Sequence, residues 1–200
     1  MNEAIPIGLL ASRYFNESAD VSIALKIGNQ NFDAIVSDNR KEKSPISYIE
    51  VTMAHEGEDE YLRMRYLHET EEVSGLGKVT KHGTKRTGLS IEVQSEMVSQ
   101  AEVIERESKL LSDAIERKLA KSYPKNTLLL IAFDDVMAFD RKDNIQRMEV
   151  ILEQYLPRLT AFRCVVIIGL HKGLHIVRYV DNERSNLELN PDPAACGLVG

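Results

Sequence analysis

Two acidic side chains are placed where they could act together. Asp33 lies in Phe32-Asp-Ala-Ile-Val36 and Glu50 in Ile46-Ser-Tyr-Ile-Glu-Val-Thr-Met53, both runs rich in β-branched residues and read as strands. Residues two apart on a strand share a face, so Glu50 and Thr52 project together. If the two strands pair, the Asp33 and Glu50 carboxylates converge at a strand end. Converging carboxylates repel, and the repulsion is relieved by a shared proton or by a hard divalent cation such as Mg²⁺ or Mn²⁺ with water completing its shell. Such a cation polarises a phosphodiester and lowers the pKa of a bound water, which is metal-assisted hydrolysis. The plainer alternative makes Asp33 a polar residue near a turn and Glu50 a solvent-facing strand residue.

The second feature is basic. Lys78-Val-Thr-Lys81-His-Gly-Thr-Lys85-Arg86 contains no acid, in a chain of 25 basic and 31 acidic residues with net charge -6. With that balance the molecule does not bind nucleic acid by overall charge, so any polyanion contact is local. Lys78, Lys81, Lys85 and Arg86 are its candidates, with a solvated hairpin tip as the alternative reading. Gly75-Leu-Gly77-Lys78-Val79 is not a phosphate-binding P-loop: Glu72 stands where its first glycine belongs and Val79 where Ser or Thr would hold Mg²⁺. His171 and His175 are four apart, but Gly173 between them favours a turn over a metal-binding helix. Asp134 and Asp135 follow an apolar run and suit a turn or a helix cap. Cys164 lies in an apolar run and Cys196 in a polar tail, which excludes a disulfide framework and a cysteine zinc site. No G-x-S-x-G elbow is present.

The elements around these residues read as follows. Ile7, Leu10, Ala11 and Tyr14 predict a short helix ending near Asn16. Val21–Ile27 and Phe32–Val36 predict strands about a Gly28-Asn-Gln-Asn31 turn, and Ile46–Met53 a third strand. Residues 58–70 predict a helix carrying Tyr61, Leu62, Arg65 and Tyr66 at helical spacing. Val79 and Leu89–Val93 are short strand candidates in a section, at about 55–95, that reads as an insertion. Ser99-Gln-Ala-Glu102 is a capping box opening a long helix over 99–122, with Ala101, Ile104, Ser108, Leu111, Ile115 and Leu119 as its packed stripe. Thr127–Phe133 predicts a strand covered on both faces, Asp143-Asn-Ile-Gln146 a second capping box with a helix to 156, and Cys164–Leu170 and His175–Val180 two final strands. Residues 181–200 read as a mobile polar tail. The expected fold is a three-layer α/β domain with a mixed central sheet over residues 1–180. The lack of a signal segment or of a long apolar run predicts a soluble cytoplasmic protein.

The order helix, three strands, long helix, strand, with Asp33 on the second strand and Glu50-Val-Thr52 on the third, resembles the PD-(D/E)XK restriction-endonuclease-like superfamily. The resemblance covers roughly residues 7–133 with one insertion. It implies an αβββαβ core, a Mg²⁺-dependent (or Mn²⁺-dependent) nuclease hydrolysing DNA phosphodiester bonds, and Asp33 and Glu50 as metal ligands. In that family a (D/E)-x-K lysine orients or deprotonates the attacking water, and here Thr52 stands in its place. Thr52 has neither the charge nor an accessible pKa for that work. A lysine from elsewhere would have to supply it: Lys118 on the long helix joins Asp33, Glu50 and Thr52 as the catalytic set, with Lys41 or Lys43, and Lys81 or Lys85, as the other candidates. Arg117-Lys118-Leu-Ala-Lys121-Ser-Tyr123 at the end of the long helix resembles the family's core helix. A homodimer would suit cleavage of both strands of a duplex. The rival expectation is a nuclease-like scaffold without chemistry that serves as a nucleic-acid or protein binding module.

Overall fold

The computed structural model describes residues 3–15, 19–41, 43–73, 77–84, 86, 88–95, 97–135, 141–171 and 175–180. The expected tail and Lys85 lie outside these residues. Cα packing divides the chain into two compact units, Met1–Ala54 with Leu111–Gly200, and His55–Leu110.

The first unit is α/β. Its strands β1 (Val21–Leu25), β2 (Ala34–Asp38) and β3 (Tyr48–Ala54) are followed, after the second unit's β4 (Val79–Thr84) and β5 (Gly88–Val93), by β6 (Thr127–Phe133), β7 (Cys164–Gly169) and β8 (His175–Tyr179). They form one mixed six-stranded sheet in the order β1-β2-β3-β6-β7-β8. The centre, β3-β6-β7, is parallel and the flanks are antiparallel. Every residue of β6 and β7 is buried, as expected of strands covered on both faces. Asn126, with φ 64°, turns the chain into β6. Its carbonyl accepts the Ser47 and Tyr48 N–H groups at 3.0 and 3.3 Å, which aligns the start of β3 with the start of β6. Asparagine is among the few side chains that adopt this backbone readily.

Alternation along the strands assigns the two faces. Ile49, Val51, Leu128, Leu130, Ala132, Cys164, Val166 and Ile168 form one core cluster with Ile7, Leu10, Tyr14 and Phe15, so helix α1 (Ala4–Tyr14) covers that face. The other face carries Glu50, Thr52, Leu129, Ile131, Val165 and Ile167. The part of helix α3 (Gln100–Leu119) that belongs to this unit, from Leu111 on, lies on it, because Lys118 bonds Glu50. Helix α4 (Arg141–Tyr155) lies there too, through the Arg178–Glu149 pair on the face shared by Arg178 and Val165. The second unit holds helix α2 (Glu58–Thr70), the β4-β5 hairpin and the first half of α3. α2 packs against both hairpin strands.

Several boundaries differ from expectation. The second strand begins at Ala34, two residues late, because Asp33 sits in a bend; the third begins at Tyr48, after the Pro45 turn. The first helix is longer, at 11 residues. α4 begins at Arg141, so Asp143 is an acid of the first turn and not its cap. The Ser99–Glu102 box is present: Glu102 N–H donates to Ser99 Oγ at 3.3 Å and Ser99 N–H to Glu102 Oε2 at 2.7 Å. On α3 the buried positions are Val103, Leu111, Ala114 and Ile115, whereas Ala101 is exposed. On α2 they are Leu62 and Arg63, with Tyr61 exposed. Among the described residues no helix is long and apolar enough to cross a membrane.

Ile115 is fully buried and Val150 on α4 is half exposed. Ile115→Asp is expected to remove the cooperative thermal transition, since it puts a charge into the core at a cost of several kcal/mol, ~4 or more. Val150→Asp should shift the same melt by only about 0.5 kcal/mol or less.

Candidate active site

Ala34 pairs with Ile49 where β2 meets β3. Asp33 sits in the bend just before β2, with its N–H on the Ile49 carbonyl and its own carbonyl on the Lys26 N–H, both at 2.8 Å. It is near enough to β3 for its charge to act on Glu50. Asp33 Oδ2 accepts the Val51 N–H at 2.7 Å, which fixes that carboxylate against β3.

Glu50 is only 4 % exposed and Thr52 only 6 %. A lone buried carboxylate would be protonated or would unfold the strand, and here the counter-charge comes from α3. Lys118 Nζ donates to Glu50 Oε1 at 2.6 Å, with both side chains largely withdrawn from water. Burial nonetheless raises the Glu50 pKa above the ordinary carboxyl value; Lys118 opposes the rise, the Asp33 charge adds to it, and Lys121 lowers it again. Neighbouring bonds hold the helix end in place. Arg117 Nη2 donates to the Met53 carbonyl at 2.8 Å, and Asn31 Nδ2 donates to the Ser122 carbonyl at 2.8 Å. Tyr123 follows, its ring tilted on Phe162 with centroids 4.4 Å apart and its hydroxyl buried without a hydrogen-bond partner among the described residues. Burial, then the charges of Glu50 and Asp33, push its pKa well above the ordinary phenol value.

Glu50, Thr52 and Lys118 are thus brought to one face of the sheet, Asp33 lies just before β2 with its carboxylate on the Val51 N–H, and of the described candidate lysines it is Lys118 that pairs with Glu50. The residues missed in the sequence are Lys121 and Tyr123 as neighbours of the pair. A signal for Lys118 existed: it continues the buried stripe Leu111, Ala114, Ile115 by one further turn, a core-facing place for a charge. Two carboxylates are hard oxygen donors that suit Mg²⁺, which commonly takes one or two protein carboxylates and keeps several waters. Among the described residues no group of three or more His, Cys, Asp or Glu side chains gathers.

The basic run lies in the second unit, on the β4-β5 hairpin. Lys81 bonds Glu58 of α2, His82 lies 3.5 Å from Glu92, Lys78 and Arg86 are exposed, and Lys85 is outside the described residues. In the same unit Arg63, 5 % exposed, and Arg106 both bond Glu56, beside a cleft of about 670 Å³ also lined by Lys78, Val98 and Glu102. Elsewhere, Asp135 is fully buried and accepts the His171 N–H at 2.7 Å, so it braces the turn after β7; Gly169 leaves it room, since a Cβ there would lie 2.2 Å from Asp135 Oδ2. His175 sits in β8 against Arg13 and is not a free surface residue. The Cys164 thiol is pushed up to about 12 by burial and is inert as a nucleophile.

The raised Glu50 pKa sets a sign. A carboxyl whose pKa is higher folded than unfolded loses stability as pH rises from the ordinary carboxyl value through the folded one. Lys118→Met removes the partner that opposes the rise, so it should cost about 3 kcal/mol at pH 8. The deficit should shrink as pH falls toward 4, where Glu50 is protonated in both proteins. Thermal melts across that range read this directly, and a deficit independent of pH would locate the cost of the variant in lost packing.

No protein-family model, curated protein or solved structure compared with the chain gives a match.

Proposed function

We propose that the first unit is a metal-dependent phosphodiester hydrolase of nucleic acid, in the manner of the PD-(D/E)XK nucleases, with DNA as substrate. The observation that carries this is the 2.6 Å bond from Lys118 to Glu50, beside the Asp33 carboxylate that accepts the N–H of the next residue, Val51. Two carboxylates and one lysine are the charged groups the resemblance calls for, the lysine coming from α3 and not from position 52. Asp33 and Glu50 would hold Mg²⁺ or Mn²⁺, which supplies an activated water and charge neutralisation at the phosphate. Glu50 is suited to that work because its burial leaves the carboxylate under-compensated even with Lys118 beside it. Asp33 keeps one oxygen on the Val51 N–H, so its position does not depend on a ligand. The Lys118 ammonium stands at Glu50, where it can donate to a phosphate oxygen or favour the hydroxide form of an adjacent water. Thr52, two residues from Glu50 on the same face, offers a neutral hydroxyl. Lys78, Lys81, Lys85 and Arg86 would contact backbone phosphates, with Lys81 first exchanging Glu58 for the phosphate. A homodimer would cut both strands.

A second reading is favoured by the same bond: Lys118 already neutralises Glu50, so the pair stabilises the fold without a cation and the unit serves as a binding module for nucleic acid or protein. The two readings diverge in a cleavage assay. Mg²⁺- or Mn²⁺-dependent cleavage of DNA is expected for the native protein and should vanish in Glu50→Gln. Lys118→Ala should lower it ~100-fold or more, as loss of a group acting on the attacking water does. Thr52→Lys in the Lys118→Ala background should recover part of the rate, since the new ammonium reaches the same face through space the old one vacates. No cleavage, with no calorimetric heat on adding either metal, would leave the binding module.

A further inference from the structure

One edge of the sheet is β1, which pairs with β2 on one side and, among the described residues, with no strand on the other. The Lys26 N–H donates to the Asp33 carbonyl and the Asn39 N–H to the Asp20 carbonyl, both at 2.8 Å, so Asp20, Ser22, Ala24 and Lys26 turn their backbone groups toward β2. Val21, Ile23 and Leu25 turn theirs outward, a row of donors and acceptors that another strand can take up. The usual protections of an edge are missing, since β1 pairs without a bulge over Val21–Leu25 and contains neither proline nor charge. Leu25 is 52 % exposed and Ile27, just beyond, fully exposed, while Val21 and Ile23 pack partly against the core cluster under α1.

We infer that β1 is a dimerisation surface whose occupant is β1 of a second copy of this chain, antiparallel about a two-fold axis at Ile23. Charge complementarity selects that register. With Ile23 opposite its own counterpart, Val21 lies opposite Leu25 of the second copy and Asp20 opposite its Lys26, so the two-fold makes two ion pairs from residues that are exposed in the single chain. Asp20 and Lys26 then meet at a non-hydrogen-bonded position, where facing side chains are closest. A centre at Ser22 or Ala24 would set both charges opposite neutral residues. Ile23 and Leu25 lie opposite Val36 and Ala34 of the core cluster, so the same register carries that apolar face across the junction and covers Leu25, and it leaves Ser22, Ala24 and the ion pairs on the other face. Like edge on like edge closes after two copies, whereas β1 on β8 of the next copy would grow without limit. The inference gives a surface to the homodimer of the proposed function and does not rest on the hydrolase reading.

Sedimentation velocity on the full chain, without metal or DNA, tests it over ~1 µM to ~1 mM protein. The native chain is expected to pass from monomer to dimer across that range and to stop there. Asp20→Lys and Lys26→Asp each set like charges opposite one another twice, and each should weaken the dimer about tenfold or more. Mixed in equal amounts, the two variants should regain the native association, because both facing positions of the mixed dimer again hold one acid and one lysine; the double variant should regain it alone. Both positions are exposed, so thermal melts of the variants should stay close to the native one. Hydrogen exchange on the native protein reads the same contact without a variant: the Val21, Ile23 and Leu25 amides should become protected as concentration rises, while those of Ser22 and Ala24, on β2, are protected throughout. A dimer indifferent to both substitutions, a mixture that fails to associate, or an assembly growing beyond two copies would overturn the inference. So would a monomer at every concentration, which would leave the edge to a strand from another protein. A monomer that cleaves DNA with Mg²⁺ would discard this surface and keep the hydrolase reading; a dimer of this register without cleavage would do the reverse.

Discussion

A carboxylate buried in a β-strand requires a counter-charge, and the bond from Lys118 to Glu50 supplies it. Removing a charge from water costs several kcal/mol, of order 5, unless geometry and hydrogen bonds return it. The last turn of α3 is thereby tied to the middle of β3. Arg117 on the Met53 carbonyl and Asn31 on the Ser122 carbonyl follow from the same docking and fasten the helix end to both β3 and the turn before Asp33. The macrodipole acts in the same direction, since cations near a helix C-terminus are favoured.

The strand that bears Glu50 does two jobs because its side chains alternate. Ile49 and Val51 join the apolar cluster under α1, while Glu50 and Thr52 face α3. A slip of one residue would bury both polar groups under α1 and turn the apolar pair toward Lys118, so the register is strongly specified. Asn126 contributes by holding the first amides of β3 against the start of β6. Asp33, in the bend before β2, is then held against β3 by the Val51 N–H, which it accepts at 2.7 Å.

The second unit manages charge by another route. Arg63 and Arg106 converge on Glu56, while in the run 78–86, which contains no acid, Lys81 is paired with Glu58 of α2 and His82 lies near Glu92 of β5. Buried or half-buried pairs of this kind contribute most when several donors share one acceptor, as at Glu56, whereas the exposed Lys81 pair contributes little to stability and is readily exchanged.

Much was legible in the sequence. Strand periodicity located the central strands and placed Glu50 and Thr52 on one face, the S-x-x-E spacing located the start of α3, and Asp33 and Glu50 stood out as a pair, because each signal depends on residues a few positions apart. The stripe of α3 was read out of phase at its start, where Ala101 proved exposed and Val103 buried, since periodicity alone does not say which of two neighbouring apolar residues meets the core. Among five candidate lysines the sequence favours Lys118, which continues the buried stripe, without excluding the other four. Buried Arg63 and the orphan hydroxyl of Tyr123 carried no local signal. Lys118 and Glu50 are 68 residues apart, and what joins them is the parallel register of β3 on β6 and the packing of α3 across that face, both decided only when distant segments compete to bury apolar surface and satisfy the charge left among them.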